Sequence, residues 1–178
     1  MNPSFRLKIL LLIVCLVAPG LLKGDTLSAR SDKLVKVLSP FIGKFEGSHE
    51  GVKLNATFDA HWNRTKTAMF FTWTSEWEDG TEASQIFGTC ILNQKGNIVW
   101  HLTGSDGSKI EMNLVKSKKG KFEFVMTGST PVGTLYEEVY WQLLDNGDFD
   151  HVITKKAING TEQEAFGFVL KKKPANKP

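Results

Sequence analysis

The sequence is poor in cysteine, arginine and tyrosine, and outside one N-terminal segment it has no long apolar run. Of its two cysteines, Cys15 falls in that segment, so the remainder, with Cys90 alone, forms no intramolecular disulfide and depends on an apolar core for stability. About 150 residues suffice to build one. The four histidines, His49, His61, His101 and His151, are scattered and lack the His-x-x-x-His spacing of a metal site, and no Cys-x-x-Cys occurs, so no metal is expected. Gly-x-Ser-x-Gly, phosphate-loop and dinucleotide fingerprints are missing. Glu137 and Glu138 are adjacent and would face opposite sides of a strand, so they cannot work as a carboxylate pair. No catalytic residue is expected.

What is present begins with a leader. Arg6 and Lys8 precede an apolar run, Ile9 to Leu22, broken by Pro19-Gly20 and followed by Gly24, Ser28 and Ala29, the pattern of a cleaved secretory signal over residues 1–24. The run is shorter than the ~20 residues of a bilayer-spanning helix, so no membrane span is expected after cleavage, and the mature protein would be secreted or periplasmic. Losing Arg6, Lys8 and Lys23 lowers Lys plus Arg from 22 to 19, equal to the 19 Asp plus Glu. A neutral domain gives no nucleic-acid footprint, which would need Lys and Arg clustered on one face. Lys171-Lys172-Lys173 reads as the start of a solvated tail, disordered over 173–178.

Residues 25–40 hold a short amphipathic helix: Leu34, Val35 and Leu38 share a face, Ser31 or Asp32 would cap it, and Pro40 stops it. From Phe41 to Lys172 the apolar period is two. Ala56-Phe58-Ala60-Trp62, Phe71-Trp73-Trp77, Ile98-Trp100-Leu102, Ile110-Met112-Leu114 and Phe122-Phe124-Met126 each mark one face of a strand. Val139-Trp141-Leu143, Phe149-His151-Ile153 and Phe166-Phe168-Leu170 continue the series. Asp79-Gly80, Lys95-Gly96-Asn97, Asp106-Gly107, Lys119-Gly120, Asp145-Asn-Gly147 and Asn159-Gly160 read as tight turns between them. About ten strands joined by short connections make a meander, and a long meander removes its edges by closing. The expected fold is therefore an all-β, about ten-stranded antiparallel up-and-down barrel over residues 41–172.

Ten strands enclose more width than the eight whose side chains just fill the interior. Phe58, Phe71, Trp73, Trp100, Phe124 and Trp141, with His151 on the same inward face, are the expected lining of a cavity for a small hydrophobic or amphipathic molecule. Neither Arg30, in the helix, nor Arg64, in a turn, stands in a strand interior to meet a carboxylate ligand. The remaining polar groups considered for the interior are Gln85, Tyr136, Glu138, Tyr140, Gln142 and His151. A monomer or weak dimer is expected. Three sequons, at Asn55, Asn63 and Asn159, are acceptors if the source glycosylates exported proteins.

The helix leading into Pro40-Phe-Ile-Gly-Lys-Phe-Glu-Gly47 resembles the opening of lipocalin-like calycin barrels. More narrowly, the chain is similar to a domain-of-unknown-function family of exported bacterial proteins with Gly-x-Trp-x-Gly after a helix, a Trp-bearing strand, an aromatic strand ending near Asp-Gly, and a Ser-Asp-Gly hairpin. The matching positions are Gly43 to Gly47, Trp62, Phe70 to Gly80 and Ser105 to Gly107, with Phe45 standing where the family has Trp. The resemblance implies a calycin-type barrel. Related haem-binding barrels extend the motif with further Gly and a Tyr, where this chain has Ser48-His49-Glu50. That departure counts against haem, while His151 in a late strand offers a ligand: haem, or a small isomerase-type chemistry, at His151 is one alternative to simple binding, and a solidly packed barrel used for protein interaction is the other.

Overall fold

The computed structural model of the protein describes residues 27–49, 51 and 53–174. The expected leader and the last four residues lie outside these. Helix α1 (Leu27–Leu38) runs into a single 3-10 turn, Ser39–Phe41. Eleven strands follow: β1 (Gly43–His49), β2 (Leu54–Trp62), β3 (Ala68–Trp77), β4 (Glu82–Leu92), β5 (Ile98–Gly104), β6 (Lys109–Lys118), β7 (Lys121–Thr130), β8 (Gly133–Leu143), β9 (Phe149–Ile158), β10 (Thr161–Gln163) and β11 (Gly167–Lys172).

Every neighbouring pair is antiparallel and the ring closes, β1 on β11, β11 on β9 and β9 on β8. Strands β10 and β11 lie along the same edge of β9 in one register, Gln163 opposite Lys156 and Gly167 opposite Val152. They are one strand interrupted at residues 164–166, and the barrel has the expected ten staves. The expected turns stand where Gly, Asn and Asp were read; at Asn159-Gly160 both residues take positive φ, 51° and 79°, the geometry of a two-residue hairpin.

Period two sorts the side chains as the sequence implies. Phe45, Phe58, Trp100, Phe124, Phe149 and Leu170 are fully or almost fully buried, and burying each such side chain contributes about 1.5–3 kcal/mol. Helix α1 inserts Leu34 and Leu38, and the 3-10 turn inserts Phe41 edge-on against Phe122, Trp141 and Phe149 at 4.9–5.2 Å. Arg30 bonds the carbonyls of Leu92 and Asn93, and Lys33 that of Gly96, so the helix closes the end of the barrel carrying the β2–β3 and β4–β5 turns.

Four expectations need correction. Ser31 and Asp32 lie inside α1 and do not cap it, because the helix begins at or before Leu27. Trp77 does not join Phe71 and Trp73 inside: it is the last residue of β3, at the rim of the barrel, and emerges 46% exposed there. Strand β4 carries no single apolar face, since Phe87 points out while the small Gly88 and Cys90 point in, which is why no period-two run announced it.

The fourth concerns charge. The neutral domain segregates its charges along the barrel axis. At the helix end, α1 presents Arg30, Lys33 and Lys36, the turns and the strand ends flanking them add Arg64, Lys66, Lys95, Lys118, Lys119 and Lys121, and the end of β11 adds Lys172 and Lys173. Asp32, Asp145 and Asp148 are the carboxylates of the same helix and turns, and on the adjoining strands Glu123 pairs with Lys121 and Glu46 with Lys173, so cations remain in excess. The turns at the other end carry Glu78, Asp79 and Asp106 against Lys53, and the strand ends beside them carry Glu82 and Lys109, among the described residues. Basic residues far apart in sequence do cluster on one face.

Candidate functional site

The half of the barrel away from α1 is incompletely filled. A cavity of about 230 Å³ opens there, walled mainly by Phe58, Phe71, Trp73, Met112, Met126, Trp141, Ile153 and Phe168, with His151 in its wall. The six expected aromatics and the histidine divide as follows: Phe58, Phe71, Trp73, Trp141 and His151 come together on the cavity, whereas Trp100 and Phe124 do not reach it. Those two pack edge to face at 5.0 Å in the closed half, beside Trp141. Their inward phase is the same as that of the lining residues; only their height along the barrel differs.

Gly88 explains how Phe71 lies flat against its wall. It faces Phe71 and Leu102 across the sheet, and any Cβ there would run into the Phe71 ring. The missing side chain is the seat of the ring.

His151 is the polar centre of the cavity. It stands on β9 opposite Trp141 of β8, and the Trp141 Nε1–H donates to its Nδ1 at 2.7 Å. An indole N–H can only donate, so Nδ1 holds a lone pair and the proton of the neutral ring is on Nε2. Trp73 packs over the imidazole at 4.8 Å between centroids, and Phe168 at 6.3 Å. Burial among these rings lowers the His151 pKa from 6.5 to about 4, so the ring is neutral at physiological pH. The Trp73 indole N–H donates to Ser75 Oγ at 2.9 Å, and the His151 Nε2–H faces the same cavity as a donor that can serve a guest.

A second polar feature was not anticipated. Glu137 is in phase with Leu135, Val139 and Trp141, points into the barrel, and is 6% exposed. Directly across β9, Lys156 meets it at 3.4 Å, and both line the cavity near its mouth. Desolvation raises the Glu137 pKa above the usual carboxylate range, with the Lys156 charge opposing the shift. The signal in the sequence was the phase of Glu137, but its neutralising partner depends on the register of β8 on β9, which slips by one residue at Glu138/Val139. The other polar groups considered for the interior stay outside: Tyr136 donates to Glu138 at 2.8 Å on the outer face, Tyr140 lies under Lys121, and Gln85 and Gln142 alternate outward.

Two of the three sequon side chains are already used by the fold. Asn63 Oδ1 accepts the Thr67 and Ala68 amides, and Asn159 Oδ1 accepts the Thr134 amide and hydroxyl. Asn55 is exposed on β2. Cys90 is buried and its thiol pKa is pushed well up by desolvation. Among the described residues no group of three or more His, Cys, Asp or Glu could hold a metal ion, and no helix is long and apolar enough to cross a membrane.

The chain is thus a closed ten-stranded antiparallel barrel with one end plugged by a helix and a cavity at the other. No protein-family model and no curated protein matches it. Among solved structures it is similar to Rv2717c from M. tuberculosis, with a TM-score of 0.60 over 79% of this chain and 98% of that one, at 15% identity. At that identity the likeness is one of fold.

Proposed function

We propose that this protein binds a small, neutral, largely apolar molecule in the open half of the barrel, held by a hydrogen bond from His151 Nε2–H to an acceptor atom of the guest. The observation that carries this reading is an apolar cavity whose wall presents an unused donor on a neutral imidazole. An engineered apolar cavity of ~150 Å³ takes up benzene, and drug-sized sites run from ~300 Å³ upward. A space of 230 Å³ lies between them, which suits a one- or two-ring molecule or a short branched chain bearing a carbonyl or ether oxygen. We read the barrel as calycin-like and exported, on the strength of the Pro40 to Gly47 opening and the leader pattern of residues 1–24.

Haem does not fit these residues. An iron-bound histidine offers the Nε2 lone pair and donates its other N–H outward, whereas Trp141 donates inward to Nδ1 and puts the proton on Nε2. A tetrapyrrole also exceeds a cavity of this size. Isomerase-type chemistry loses support for a related reason: the free nitrogen of His151 is a donor, and Glu137 is engaged by Lys156. The cavity itself argues against a solidly packed interaction barrel.

The test uses Trp73 and Trp141, which line the cavity. Titration of intrinsic fluorescence with a naphthalene-class probe carrying a carbonyl should give saturable quenching, weakened about tenfold in His151→Phe, the worth of one buried hydrogen bond. A probe that leaves the emission unchanged, or that binds both proteins equally, refutes the reading.

A further inference from the structure

We propose that the helix end of the barrel docks on anionic phospholipid membranes. The domain is formally neutral, yet eleven Lys and Arg side chains from α1, three turns with their flanking strand ends and the end of β11 gather at this end, in excess of its carboxylates even with Lys121 paired to Glu123 and Lys173 to Glu46, while the opposite turns are net acidic. Sequence neutrality hides this because the contributing segments are tens of residues apart and meet only when alternate turns of the meander fall at one end. The strong axial separation orients the barrel in the field of a charged surface and raises its encounter rate with one.

Three features favour a membrane over a nucleic acid. Nine of the eleven cations are Lys, point charges without the planar fork of Arg. The basic turns contain no aromatic residue on which a base could stack. The surface is a set of turn tips and one helix that close the barrel end, not a groove that would track a strand.

Each basic residue close to an anionic surface strengthens binding about fivefold. Arg64 and Lys95 lie on two of the turns and Lys118 ends β6 at a third; all three are exposed and take part in none of the ion pairs among the described residues. Reversing all three to Glu alters the charge of the barrel end alone, so any change in binding reports on that end. Cosedimentation with phosphatidylcholine vesicles containing one fifth phosphatidylglycerol should weaken roughly 100-fold, with circular dichroism and thermal unfolding unchanged. The same loss should appear for the unmodified chain in 0.5 M salt. Lys53→Glu with Lys109→Glu, at the other end, should leave binding within about threefold.

Equal affinity for neutral and anionic vesicles overturns the proposal, as does retained binding in the triple variant or an equal loss in the far-end control. Capture on heparin or duplex DNA with no preference for anionic vesicles also overturns it, and assigns the patch to a soluble polyanion. None of these outcomes depends on whether the cavity binds a probe, so the two readings fail separately.

Discussion

His151 ties the stability of the barrel to pH in a way that can be worked out in advance. In the unfolded chain its pKa is near 6.5, and in the barrel burial lowers it to about 4. Above pH 6.5 both states are neutral at this site and it contributes no slope. Below 6.5 the unfolded chain takes a proton that the native ring refuses, so stability is lost as pH falls, by about 1.4 kcal/mol per unit, until the native ring titrates near pH 4. The total is about 3 kcal/mol, a large share of the ~5–15 kcal/mol that holds such a domain together. The lowered carboxylates Glu46, Asp79 and Asp106 lose their contributions only as pH falls below their unfolded values of 4.5 and 3.8, at the bottom of this window and beneath it. Glu137, raised by burial, acts in the opposite direction, since the native state holds its proton more tightly. His151→Gln isolates the histidine, because its amide oxygen can still accept from Trp141 Nε1–H and it does not titrate. Urea unfolding followed by tryptophan fluorescence at half-unit steps from pH 7.5 to 4.5 should show a stability difference between the two proteins that shifts by at least ~2 kcal/mol across the range. A constant difference, or an imidazole NMR titration of His151 centred near 6.5, refutes the buried neutral ring and with it the donor assigned to the cavity.

Three other outcomes follow from the same geometry. Gly88→Ala places a Cβ in the Phe71 ring; the ring must turn into the cavity, at about 1–3 kcal/mol of stability, and probe affinity should fall more than tenfold in the fluorescence titration. Lys156→Met strands the buried Glu137 carboxylate and should cost about 2 kcal/mol at pH 7, below the ~3–5 of a fully dry pair because Lys156 is partly exposed. That loss should shrink as pH falls and Glu137 protonates, and Glu137→Gln with Lys156→Met should recover most of it in chemical denaturation. Cys90 should react with a thiol reagent only on unfolding, giving one modification in denaturant and none in buffer over an hour.

The barrel was legible because a strand's side chains alternate and nearly every strand shows the alternation: Phe122-Phe124-Met126 and Phe149-His151-Ile153 face inward as their spacing demands. Turn chemistry placed the hairpins for an equally local reason, the positive φ that Asn159-Gly160 and its counterparts supply. Strand β4 escaped because its inward positions are small, and Gly88 makes sense only once Phe71 is seen lying on it.

By itself, then, the sequence determined which residues point into this protein and how many staves surround them, since both depend on contacts between near neighbours along the chain. Tertiary structure alone decided how high on the barrel each inward side chain sits, because that is set by strand register and by which end α1 occupies. Height separates Trp100 and Phe124, packed in the closed half, from Trp73 and His151 on the cavity. Register joins Glu137 to Lys156 across the β8–β9 slip. Alternation of the turns gathers at one end the basic residues that composition had cancelled against acids elsewhere.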